Sequence, residues 1–142
     1  MKFLAIDYGL KRCGIAVSDS GGAFAFPRCT LQRETKKQFF TDLLALIARE
    51  GAEAIVVGLP LHTDGTPCLA TTHVKHFVDS LRRRTELPIF LMNEVLSSCE
   101  AESELNAMGM KAPKIKQVLD QQAAVLILET FLSQPAEKRI TA

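Results

Sequence analysis

No stretch of this 142-residue chain approaches the ~18 apolar residues that a membrane-crossing helix needs. The best candidate, Ala123 to Leu128, is stopped by Glu129. The first apolar run meets Asp7 too early for a secretory signal, so a soluble cytoplasmic protein with no membrane partner is expected. Four cysteines are scattered at Cys13, Cys29, Cys68 and Cys99, and no two are spaced like a zinc knuckle or redox pair. Reduced, mostly buried thiols are the expectation. His73 and His76 could share a helix face, but no nearby Cys or His completes a zinc set, which leaves them a solvated face. Neither charge sign is in excess: the net charge is +1, so a polyanion-binding surface must be local. Repeats, low-complexity tracts and linkers are absent too. With 47% hydrophobic and 23% charged residues, the disordered and fibrous classes are excluded. One domain over residues 1–142 is expected, large enough to bury roughly two thirds of its unfolded surface.

What is present is concentrated between Leu4 and Asp19. An apolar run too short for a helix ends in Asp7 and Gly9. The basic pair Lys11 and Arg12 follows, and Gly14 opens a second apolar run, Ile15 to Val17. The pattern predicts a strand, a tight turn and a strand returning beside the first. A carboxylate at a strand end, with glycine beside it, suits a metal ion or a phosphate.

Further along, a third strand is expected from about Phe24 to Leu31, at a sheet edge because of Pro27. Phe39, Leu43, Leu46 and Ile47 sit at helical spacing between Thr35 and Arg49. Ala54 to Val57 reads as a strand covered on both faces, emptying into a turn-rich loop from Gly58 to Pro67. A helix from about Leu69 to Thr85 and a strand from Ile89, ending at Asn93 and Glu94, come next. Ser97 and Glu100 form a capping-box pattern for a third helix closing near Gly109. Pro113 opens a last helix running to about Leu132. The expected fold is α/β: a mixed five-stranded sheet, an antiparallel three-strand meander followed by two parallel strands, flanked by helices.

Asp7 and Glu94 each terminate an apolar strand, and in such a sheet both ends open at one rim. Asp120 shares a helix stripe with Ala124, Ile127 and Phe131, which places it at the mouth of a buried face. Three acids converging there would repel one another unless a cation joined them. Oxygen-only ligands favour Mg²⁺ or Mn²⁺, which suit phosphodiester hydrolysis. Separate pairing of each acid with a nearby Lys or Arg is the competing reading.

These residues resemble the YqgF/RuvX family, whose members have the RNase H-like fold. The resemblance spans nearly the whole chain. It rests on Asp7-Tyr8-Gly9-Leu10-Lys11-Arg12 with Gly14-Ile15-Ala16-Val17-Ser18-Asp19, on Val56-Val57-Gly58-Leu59-Pro60 with Asp64 and Gly65, on Asn93 and Glu94, and on Asp120 with Ala123 and Ala124. It implies a metal-dependent nuclease for the 5′ end of the small-subunit (pre-16S) ribosomal RNA precursor, with structured RNA and ribosomal precursor particles as partners. Asp7, Glu94 and Asp120 match the family's acidic residues, the expected catalytic and metal-binding set. Lys11 and Arg12, beside them, are expected to touch substrate phosphate.

The chain departs from the family in reading Asn93-Glu94-Val95 where Asp-Glu-Arg is usual. Asn93 supplies no charge and Val95 no phosphate contact, so weak metal binding is one expectation. Two alternatives stay open. One is a Holliday-junction resolvase cutting branched DNA, which calls for a symmetric homodimer rather than a monomer. The other is a non-catalytic, ribosome-associated RNA module.

Overall fold

The computed structural model describes residues 1–62, 64–94 and 112–142, with side chains in the last segment from 119 onward. The expected third helix, residues 97–109, lies outside the described residues, as do Val95 and Cys99.

Three strands form first: β1 (Phe3–Tyr8), β2 (Arg12–Ser18) and β3 (Ala25–Gln32), in an antiparallel meander. Helix α1 (Lys36–Glu50) is opened by Thr35, whose hydroxyl accepts from the Gln38 backbone N–H. Strand β4 (Ala54–Pro60) then runs parallel to β1, and after α2 (Leu69–Arg82) strand β5 (Ile89–Glu94) runs parallel to β4. Helix α3 (Ala112–Ser133) is followed by a 3₁₀ turn and a two-residue strand, β6 (Ile140–Thr141), antiparallel to β5.

Among the described residues the sheet therefore has six strands in the order β3-β2-β1-β4-β5-β6, one more than the sequence suggested. Two residues are too few to show a period, so β6 left no pattern to find. Pro27 does sit in an edge strand, and the β2–β3 register shifts beside it, between Ile15 and Ala16.

Strand alternation sorts the core into two layers. Leu4 and Ile6 of β1 join Ile55 and Val57 of β4 beneath α1 and α2, whose buried faces include Leu43, Leu46, Val74 and Leu81. Phe3 and Ala5 of β1 join Ala54 and Val56 beneath α3, against Ala124, Ile127 and Phe131. Arg139 covers that second layer, its guanidinium 4.7 Å from the Phe131 ring centroid. Among the described residues no helix is long and apolar enough to cross a membrane.

Candidate active site

Asp7 is the next odd position of β1 after Phe3 and Ala5, so its side chain belongs to the α3 face. Directly across the β1–β2 ladder its partner is Gly14. A Cβ on Gly14 would lie 1.8 Å from the carbonyl oxygen of Asp120. The backbone of α3 thus rests on β2 at this glycine, and the contact sets Asp120 beside Asp7. Gly58 of β4 does the same for Glu94. A Cβ there would meet Oε2 of Glu94 at 2.6 Å and Cδ1 of Ile127 at 2.5 Å. The Glu94 carboxylate reaches across the bare backbone of β4 towards β1. All three sequence-selected acids meet at the carboxyl ends of β1 and β5.

Their electrostatics follow from that gathering. The Asp7 carboxyl is pushed from 3.8 up to about 8, first by burial and then by the charges of Glu94 and Asp120. Burial also raises the Asp120 carboxyl, and the Arg12 guanidinium offsets part of that rise. Arg12 Nε donates to Asp120 Oδ2, an ion pair of the kind that the competing reading, separate pairing of each acid with a cation, expected for one of the three acids. Lys11 is exposed at the turn and its backbone carbonyl accepts from the Arg33 N–H at 2.9 Å.

With Asp120 turned to Arg12, no three His, Cys, Asp or Glu side chains among the described residues are arranged to hold a metal ion. The donor chemistry nevertheless fits a hard divalent cation, since the acids supply only oxygens, and burial, followed by the charges of Glu94 and Asp120, raises the Asp7 carboxyl far above the usual carboxylate range.

Asn93 has less bearing on this cluster than its neighbourhood in sequence suggests. It is exposed, and alternation along β5 sets it with Ile89 and Leu91 on the α1/α2 face, away from Glu94. An aspartate at this position would not have joined the three acids. The sequence reading missed Arg33, which donates to the carbonyls of Gly9 and Leu10 and so pins the turn after Asp7. His76 is exposed and His73 half-buried, in keeping with the expected solvated face, and both line a cleft with Tyr8 and Phe77. The loop after β4 is closed by a Leu61–Pro67 bridge and by Asp64, which accepts from the Thr66 N–H and hydroxyl.

Gly58→Ala is expected to cost only about 1–2 kcal/mol, because the atoms it meets are side-chain ends that can yield. The displaced Glu94 carboxylate should nevertheless weaken Mn²⁺ binding by roughly 10–100-fold. Urea unfolding and calorimetric titration separate the two effects. Parent-like Mn²⁺ affinity would show that Glu94 does not need the bare backbone.

A family model described as RuvX, Holliday junction resolvase, matches residues 1–134. The chain belongs to the RuvX family. A protein of Nitratidesulfovibrio vulgaris (strain DSM 19637 / Miyazaki F), named "Putative pre-16S rRNA nuclease", is 53% identical over 142 residues and the whole of both chains. One of the same name from Dechloromonas aromatica is 38% identical over 132 residues, covering 93% of this chain and 90% of its own. Among solved structures, T. thermophilus RuvC in complex with Holliday junction substrate superposes with a TM-score of 0.59 at 16% identity, covering 100% and 99% of the two chains. Fowlpox virus resolvase superposes with a TM-score of 0.54 at 9% identity, covering 94% and 100%. At those identities the likeness speaks for the RNase H-like fold of this RuvX chain.

Proposed function

We propose that this RuvX chain is a divalent-metal-dependent nuclease acting on the 5′ region of the small-subunit ribosomal RNA precursor. The observation that carries the chemistry is Asp7, an acid driven up to about 8 by burial and by two further acids from distant parts of the chain. A fold gains nothing from such a gathering unless a cation or a proton is to be held there. The names carried by the relatives support the RNA substrate.

Asp7, Glu94 and Asp120 would hold Mg²⁺ or Mn²⁺. Such an ion supplies Lewis acidity and charge neutralisation at the phosphorus centre. Arg12, which pairs with Asp120 at this rim, would hold a non-bridging phosphate oxygen, and Lys11 adds an exposed charge at the same turn. Water attacks phosphorus, one P–O bond of the strand breaks, and the leaving oxygen takes up a proton.

Precursor ribosomal RNA and a synthetic four-way DNA junction, each given Mg²⁺, Mn²⁺ or chelator, test the reading side by side. The expected result is RNA cleavage with either ion and none with chelator. Cleavage of the junction alone would move the chain to the resolvase reading. No cleavage of either would favour an RNA-associated module.

A further inference from the structure

On the reverse face of the sheet from the acids, Tyr8 begins a continuous ladder of flat groups. Its ring stacks on Phe77 with centroids 4.2 Å apart and planes 13° apart. Phe77 in turn stacks on Phe40 at 5.9 Å and 22°. Each end is covered by a guanidinium: Arg33 lies 4.1 Å from the Tyr8 centroid and Arg84 lies 4.2 Å from that of Phe40. Arg33 is held in that pose by the carbonyls of Gly9 and Leu10, and Arg84 by the carbonyl of Ser80.

Two adjoining cavities follow the ladder. One, of about 370 Å³, is lined by Tyr8, Arg33, Lys36, His73 and His76 among others. The next, of about 560 Å³, shares Lys36 and Phe40 with it and adds Lys37 and Arg84. Among the described residues neither lining contains a carboxylate. Guanidinium planes and aromatic faces take stacked bases, and cations along a groove track phosphates. Because Tyr8 directly follows Asp7 in β1, the ladder starts at the strand end that carries the acids.

We infer that the α1/α2 face is a track for single-stranded RNA, with bases on the Arg33 and Arg84 planes and phosphates along Lys36 and Lys37. Two connected cavities suit a strand of successive nucleotides better than one free nucleotide. This deepens the reading of the chain as an RNA nuclease and rests on it for the identity of the strand, but the track is tested without cleavage.

The probe is a single-stranded RNA of about twelve nucleotides carrying 5-iodouridine, mixed with the full chain in chelator. Fluorescence anisotropy should show binding that falls roughly tenfold or more in Lys36→Glu with Lys37→Glu. Acids in the first turn of α1 favour the helix dipole, so this variant should fold, which circular dichroism checks. Photocrosslinks should map to peptides containing Tyr8, or His73 and His76. A mononucleotide should compete only at far higher concentration than the strand. No binding, an unchanged variant, crosslinks confined to the α3 face, or equal competition by the mononucleotide would each overturn the track. None of these results bears on cleavage, which the ion-dependence experiment judges separately.

Discussion

Asp7→Asn is expected to abolish cleavage while making the metal-free fold more stable. The amide keeps the shape of the carboxylate and loses the charge that would hold a divalent ion. The rate should fall at least ~10²–10³-fold, the order lost when one electrostatic contributor to a transition state is removed. The stability gain follows from linkage. In the folded chain the Asp7 carboxyl rises from 3.8 to about 8, so between those values the folded state binds a proton that the unfolded state has lost. This group's contribution is therefore most favourable below about pH 4 and is lost as pH rises towards 8. Ionising Asp7 above that costs on the order of 5 kcal/mol without a metal. The Asn variant carries no such penalty, so its melting temperature should exceed the parent's most clearly near pH 8. Mg²⁺ should raise the parent and leave the variant little changed. A metal-free parent whose Asp7-dependent stability grew with pH over this window would refute the assignment, as would a variant that cleaves at the parental rate.

Gly14→Ala is expected to be the most damaging single methyl group in the molecule. Its Cβ would stand 1.8 Å from the Asp120 carbonyl oxygen, 2.1 Å from the carbonyl carbon and 2.9 Å from Cα. All three atoms are backbone, so no side-chain rotation relieves the clash. Either α3 lifts from β2 or β2 bends. The first separates Ala124, Ile127 and Phe131 from the sheet, and the second breaks the ladder beside Asp7. A loss of more than about 3 kcal/mol is expected, beyond ordinary overpacking. Urea unfolding measures it, and soluble yield at low temperature reports the same loss if the variant does not fold. Stability within ~1 kcal/mol of the parent would mean that the helix does not rest on this glycine.

The difference between these two sites marks how much the sequence could disclose. Asp7 and Glu94 were legible because each ends a continuous apolar strand, and Asp120 because its neighbours on the helix stripe are apolar. The expected strands and the first, second and last helices appear with shifts of a few residues at their ends. The Arg12–Asp120 pair was not legible in advance, because its members lie 108 residues apart and no local pattern names a charge pair at that separation. Gly14 and Gly58 showed only as breaks in apolar runs, since what presses on them comes from α3 and β5. Arg33, Lys36 and Lys37 of the track are near neighbours in sequence but match no motif, and Arg84 joins them only when α1 and α2 pack side by side. Asn93 is a different case. Its orientation, on the face opposite Glu94, followed from the alternation of a strand and was open to be read in the sequence.

Both borders of the sheet are closed to growth. On one side β3 offers Pro27, which has no N–H to give, next to a register shift that twists the strand away from a regular template. Exposed Phe24 and Phe26 lie along that border and would otherwise invite a neighbouring strand. On the other side β6 pairs through only two residues, too short to seed a further one. Fibrous aggregation by strand addition is thereby discouraged. A two-fold pairing of copies through helix faces would leave these borders untouched.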